Sequence, residues 1–147
     1  MKAFLTRRYR FSASHRLHSI EFSEEENRNI YGKCSNPHGH GHNYKLEVTV
    51  SGVPDPVTGM VCNLSDLDGC VDRAVLSTVH LANLNELPVF HKLVPTTENL
   101  SRYLLHLLRE QFLHATVEKV RIEETMMNSF EHAGASPMES SATREQR

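Results

Sequence analysis

Cys34-Ser35-Asn36-Pro37-His38-Gly39-His40-Gly41-His42-Asn43-Tyr44-Lys45-Leu46-Glu47-Val48-Thr49-Val50 begins as a polar, histidine-rich run and turns into a strict alternation. His42, Tyr44, Leu46, Val48 and Val50 fall on one face and Asn43, Lys45, Glu47 and Thr49 on the other, the period of a half-buried strand. His40 and His42 stand two apart where the strand begins, so their imidazoles share a face and can grip one metal ion. A second alternating run, Tyr9-Arg10-Phe11-Ser12-Ala13-Ser14-His15, ends on a third histidine. If the two strands pair, His15, His40 and His42 meet at one point. Three neutral imidazoles with a fourth position open describe a catalytic zinc site better than a structural one. Cys34 lies a few residues upstream, where a thiolate could act beside the metal.

Working outward, a strand is expected from about Phe4 to His15, with Tyr9, Phe11, Ala13 and His15 on one face. Arg16 to Lys33 is polar and reads as a loop or short helix. Pro54 to Gly59 is a turn, and Met60 to Cys62 reads as a short return strand. Leu64, Leu67, Val71, Ala74 and Val75 recur at helical spacing, with Asn63 or Ser65 as cap. A loop holding Asn83 to Pro88 follows. Pro95, the cap Thr96 and an early Glu98 announce a second helix, striped by Leu100, Tyr103, Leu104, Leu107, Leu108 and Phe112. Val117 to Glu124 alternates as a strand, and Ser129 to His132 reads as a last short one. The order ββααββ predicts an α+β fold: an antiparallel four-stranded sheet with both helices on one face. Alternation then assigns His15, His42 and Glu124 to the opposite face, where an apolar surface would need cover from another copy.

Composition sets bounds on function. The 147 residues suffice for one domain with a real core, here residues 1–133, followed by a Ser-, Glu- and Arg-rich tail, 134–147, that reads as disordered. A net charge of −2 gives no argument for nucleic acid or an acidic membrane surface. No apolar run approaches spanning length, and no signal-peptide pattern opens the chain. Cys34, Cys62 and Cys70 are an odd number without a framework spacing, which points to a reduced, cytoplasmic setting. Five of the ten histidines fall between His15 and His42, and surface scatter explains that cluster poorly. His38 reads as a surface residue, and Cys62 and Cys70 as core.

Phe11 to Leu17, Gly32 to Pro37 with Gly39 to Tyr44, Asp55 to Val61, Asn63 to Leu67, Asn83 to Asn85, Pro95 to Asn99 and Glu123 to Thr125 together resemble, in order, the motifs of the 6-pyruvoyl-tetrahydropterin synthase family. The likeness runs from roughly Phe4 to Gly134. The resemblance implies a tunnelling fold assembled as a homohexamer, a dimer of trimers, with active sites at subunit interfaces. It implies a lyase that turns 7,8-dihydroneopterin triphosphate into 6-pyruvoyl-tetrahydropterin and triphosphate, in tetrahydrobiopterin biosynthesis. By motif His15, His40 and His42 would bind zinc, Cys34 would be the general base, and Glu124 would anchor the pterin ring with Thr96 and Thr97 beside it.

One segment departs. The family carries an Asp-His pair before its Asn-Leu element, and here Val79-His80-Leu81-Ala82-Asn83-Leu84 stands there. Without a gap, His80 takes the place of the Asp and Leu81 that of the His; a one-residue slip would make His80 the catalytic histidine and leave Val79 for the Asp. Two alternatives therefore stand beside the lyase: a catalytically weak paralogue that binds zinc and pterin, and a sister enzyme making 6-carboxy-tetrahydropterin. That branch has a shorter cysteine-to-histidine spacing than Cys34 to His40.

Overall fold

The computed structural model describes residues 1–135. A long strand β1 (Ala3–His15) is followed by a short helix α1 (Glu24–Tyr31) and a second long strand β2 (His40–Gly52). Helix α2 (Leu64–Val71) continues through a π-helical turn, Asp72–Leu76, and a last turn, Ser77–Val79. A two-residue strand β3 (Ala82–Asn83), helix α3 (Thr97–Gln111), β4 (Thr116–Thr125) and β5 (Asn128–Ala133) complete the order. Among the described residues no helix is long and apolar enough to cross a membrane.

The α+β class follows from the sequence, and the sheet differs from it in one respect. It has five strands in the order β3-β1-β2-β4-β5, not four. The extra strand comes from the loop before Leu84 and runs parallel to β1, pairing Ala82 with Ala13 and Asn83 with Ser14. Two residues are too few to show a period, so the strand had no signature. Met60 to Cys62 is not a strand. Asp55 Oδ1 accepts the N–H groups of Val57 and Thr58, Asp55 N–H reaches the Met60 carbonyl, and the chain passes directly to the Asn63 cap of α2. Of the tail expected over 134–147, residues 136–147 lie outside the described residues.

The placement of the histidine face also needs correction. Phe11, Ala13, Tyr44, Leu46, Val48, Val120 and Ile122 form one core with Leu67, Val71, Leu100, Leu104 and Leu108 of the helices. His15 and His42 continue those same strand faces, so they lie on the helix-covered side and not the opposite one. Strand parity assigns residues to a face but does not say which face the helices take; that is settled by packing. The histidines lie where β1 ends and β2 begins. There the start of α3 supplies the cover: His15 is 1% exposed without any second chain. The outer face carries Arg8, Arg10, Lys45, Glu47, Arg121 and Glu123, and Glu47 accepts from both Arg8 and Arg121.

Helix α3 shows why the sequence pattern was sufficient. Thr96 accepts the Asn99 N–H as its cap, and Leu100, Leu104, Leu105 and Leu108 are buried along one stripe. Truncating a fully buried leucine of this kind, such as Leu104, costs about 2–5 kcal/mol.

Candidate active site

β1 and β2 pair antiparallel with His15 opposite His40 and Ala13 opposite His42, so the end of one strand meets the start of the other. The approach is close because Gly39 permits it. Its φ is +68°, and a Cβ there would lie 2.9 Å from the His15 carbonyl oxygen. The three imidazoles stand almost mutually perpendicular, with interplanar angles of 83°, 87° and 89°. His40 Nε2 lies 3.2 Å from His15 Nε2 and 3.0 Å from His42 Nε2.

His15 is held from behind. Its Nδ1 lies 2.9 Å from the Pro95 carbonyl, which can only accept, so Nδ1 carries the proton and Nε2 presents its lone pair to the cluster. Burial pushes the His15 pKa down despite that hydrogen bond, and burial likewise lowers His42. Both imidazoles are therefore neutral near pH 7, the form in which they could bind a metal ion. Ligand–metal distances of 2.0–2.1 Å in a tetrahedral site separate imidazole nitrogens by roughly 3.3 Å, close to the spacing seen here. The residues thus fit a divalent cation that accepts nitrogen ligands. Two further donors border it: Cys34 lies with His15 and His40, and Glu124 with His15 and His42, each group within 4.8 Å.

Cys34 sits in a 3-10 turn, Gly32–Ser35, whose backbone is tied to the strand end. The Cys34 carbonyl accepts the Leu17 N–H at 2.7 Å and the Ser35 carbonyl accepts Arg16 Nε at 3.0 Å. Asn85 in turn clamps Arg16, accepting its N–H at 2.7 Å and donating to its carbonyl at 2.8 Å. Buried Asn27 closes the intervening loop by donating to Ser19, Phe22 and Ser23 carbonyls. Burial, then the charge of Glu124, pushes the Cys34 thiol up. The protein alone therefore favours the thiol over the thiolate, and a neighbouring cation is needed to reverse this.

Glu124 is fixed at both oxygens. Oε1 accepts the Thr97 hydroxyl at 2.7 Å and Oε2 the Asn128 amide at 3.1 Å. Oε1 also lies 3.6 Å from His42 Nε2 and 3.9 Å from His15 Nε2. Thr97 is 2% exposed, so its hydroxyl serves Glu124 from inside the fold. Thr96 is different: its hydroxyl is engaged as the cap of α3.

His80 is not brought to the cluster within the chain. It is exposed at the sheet edge, where its Nδ1 accepts the Ser12 N–H at 3.2 Å. Leu81 follows with φ +59° and is 79% exposed. His38 is exposed, and Cys62 and Cys70 are buried, as their patterns suggest. The sequence reading missed the Pro95 carbonyl, Asn85, Asn27 and Asn128. A backbone carbonyl leaves no trace in composition. The signal near Asn27 was the Ser23–Glu26 capping box, which marks the start of α1.

Comparison with known proteins agrees with the fold. The family model described as 6-pyruvoyl tetrahydropterin synthase matches residues 4–135. The chain is 46% identical over 132 residues to a 6-pyruvoyl tetrahydrobiopterin synthase of Poecilia reticulata, covering 89% of this chain and 90% of that protein. To a protein of the same name from Homo sapiens it is 44% identical over 134 residues, covering 90% and 92%. The solved structure of Caenorhabditis elegans 6-pyruvoyl tetrahydropterin synthase superimposes with a TM-score of 0.87 at 38% identity, covering 92% of this chain and 97% of that one.

Proposed function

The chain belongs to the 6-pyruvoyl tetrahydropterin synthase family, and we propose that it is a zinc-dependent lyase converting 7,8-dihydroneopterin triphosphate to 6-pyruvoyl-5,6,7,8-tetrahydropterin and triphosphate, in tetrahydrobiopterin biosynthesis. The observation that carries the reading is the convergence of three imidazole Nε2 atoms with Cys34 and Glu124 on their borders. The fold is the α+β tunnelling fold of the family's solved structure. A cytoplasmic homohexamer, a dimer of trimers, belongs to the same proposal.

His15, His40 and His42 would hold the zinc, which when bound supplies Lewis-acid stabilisation to substrate oxygens and positive charge beside Cys34. The remaining chemistry is that of the chain. The Pro95 carbonyl keeps His15 in the tautomer that presents Nε2. Cys34 takes the proton from the substrate's side-chain carbon, at a backbone position fixed by Leu17 and Arg16. Glu124 accepts the N–H groups of the pterin ring, oriented by Thr97 and Asn128. Proton loss, departure of triphosphate and tautomerisation move electrons within the substrate, so no external oxidant or reductant enters the balance.

A second reading, a slow enzyme, has its own support. Read without a gap, neither an Asp nor a His occupies its usual place at His80 and Leu81, a one-residue slip still leaves Val79 for the Asp, and within the chain His80 is engaged with Ser12. Incubation of zinc-loaded protein with 7,8-dihydroneopterin triphosphate, with products identified by mass, separates the readings. The 6-pyruvoyl product and free triphosphate are expected. A 6-carboxy product would move the chain to the sister activity, and unchanged substrate would overturn the enzyme reading.

A further inference from the structure

Cys34 lies in the short 3-10 turn Gly32–Ser35, which has no side-chain cap. Two hydrogen bonds reach that turn from the end of β1: Leu17 N–H donates to the Cys34 carbonyl at 2.7 Å and Arg16 Nε to the Ser35 carbonyl at 3.0 Å. Both donors lie just past the point where the β1–β2 ladder ends, at the His15–His40 pair. The ladder to β3 is shorter still and covers only Ala13 and Ser14. Beyond it a side chain holds the backbone of Arg16. Asn85 Oδ1 accepts the Arg16 N–H at 2.7 Å, and Asn85 Nδ2 donates to the Arg16 carbonyl at 2.8 Å. One carboxamide thus serves one residue as a neighbouring strand would, with a donor and an acceptor. Asn85 is itself fixed. Asn83 Oδ1 accepts its N–H at 3.1 Å, and the adjoining Leu84 is fully buried.

We propose that Asn85 is a positioning residue for Cys34: by clamping Arg16 it sets where the thiol stands, and so governs turnover without taking part in zinc or pterin binding. This rests on the reading of Cys34 as the base. The other groups of the site have fastenings of their own. His15 precedes Arg16, but its ring is held by the Pro95 carbonyl and its backbone by the ladder to His40. His40 and His42 belong to β2, and Glu124 is held by Thr97 and Asn128. The Cys34 turn is tied to the strand end through Arg16 and Leu17, the residues that the clamp sets in place. A base acts only when it stands within reach of the proton it takes, and a misplacement of about 1 Å can cost about 10²-fold in rate. Loosening Arg16 would therefore act on the proton transfer and leave ground-state binding alone.

Asn85→Ala removes both bonds to Arg16, and Asn85→Asp keeps the acceptor while losing the donor. The test follows triphosphate release from 7,8-dihydroneopterin triphosphate on zinc-loaded protein, resolved into kcat and KM. Zinc content is measured beside it, with calorimetric affinity for neopterin, an unreactive pterin without the triphosphate. Asn85→Ala should lower kcat about 10–100-fold and leave KM, neopterin affinity and zinc content near wild type. Asn85→Asp should fall between the two. Leu104→Val, which loosens the core at α3, controls for lost stability and should keep its kcat. In an Arg16→Met background, which lacks the bond to Ser35, Asn85→Ala should cost less than in wild type. Wild-type kcat in Asn85→Ala, a parallel loss of zinc or neopterin, an equal kcat loss in both backgrounds or in Leu104→Val, or Asn85 variants that do not fold would each overturn the proposal. Cys34→Ala separates it from the reading beneath. Release at the wild-type rate in that variant removes the base, and this inference falls with it; a slow Cys34→Ala beside a fast Asn85→Ala removes Asn85 alone.

Discussion

His15 and Pro95, 80 residues apart in sequence, are joined by a 2.9 Å hydrogen bond between the imidazole Nδ1 and the carbonyl oxygen. Through it the residue before the α3 cap decides which nitrogen of a β1 histidine faces His40. The bond links the helix-covered core to the three-histidine cluster, and it pairs the inner ring nitrogen of an imidazole that is 1% exposed.

Metal content is the first consequence. Zinc-loaded protein should hold about one ion per chain. His42→Ala removes one of three ligands and should lose most of it. Metal analysis by mass spectrometry after dialysis checks this, and an unchanged zinc content in the variant would contradict the ligand set.

Stability against pH follows from the same burial. The folded pKa values of His15 and His42 are lowered from 6.5, mainly by burial. The unfolded chain therefore binds protons that the folded chain refuses. The contribution of these histidines is present above the unfolded value and is lost as pH falls through the folded ones. Metal-free protein should lose thermal midpoint as pH falls below 6.5, and a His15→Gln, His42→Gln variant should lose less over the same range. Equal slopes for the two proteins would contradict the assignment.

The anchor is tested from behind as well as in front. Glu124→Gln replaces an acceptor oxygen by a donor and should weaken pterin binding by about 1–3 kcal/mol. Thr97→Val keeps the side-chain shape and removes the hydroxyl that donates to Oε1, and should weaken binding by about 1 kcal/mol without touching the ring. Calorimetry showing wild-type affinity in both variants would remove Glu124 from the binding site.

The segment at His80 and Leu81 yields a gain-of-function prediction. His80→Asp with Leu81→His restores the family's pair. The geometry favours the exchange: a carboxylate can accept the Ser12 N–H as His80 Nδ1 does, and at φ +59° histidine is more at ease than leucine. A carboxylate-supported histidine contributes about 10²–10⁴-fold in rate, so kcat should rise at least tenfold with little change in apparent affinity. An unchanged kcat in a folded variant would show that the pair is not what limits this chain.

Much of this was legible from residue order. Alternation along Tyr9–His15 and His42–Val50 gave both long strands, and their antiparallel pairing brings His15 opposite His40. Thr96 marked the start of α3 because capping is local chemistry. What escaped depends on packing or on backbone atoms. The side taken by the helices is not encoded in strand parity, so the histidine face was assigned to the wrong layer. β3 is too short to show a pattern. The Pro95 carbonyl, the Asn85 clamp and the Asn128 amide become partners only when distant segments meet. The rise in the Cys34 thiol pKa, from burial and then from Glu124, likewise depends on packing that residue order does not carry.

Cys34→Ala, assayed for triphosphate release from 7,8-dihydroneopterin triphosphate and for neopterin binding on the same zinc-loaded sample, tests the central claim most directly. If Cys34 is the base at a site assembled by His15, His40, His42 and Glu124, the variant should keep its zinc and its neopterin affinity while triphosphate release falls by about 10²–10⁴-fold. Release at the wild-type rate would contradict the account.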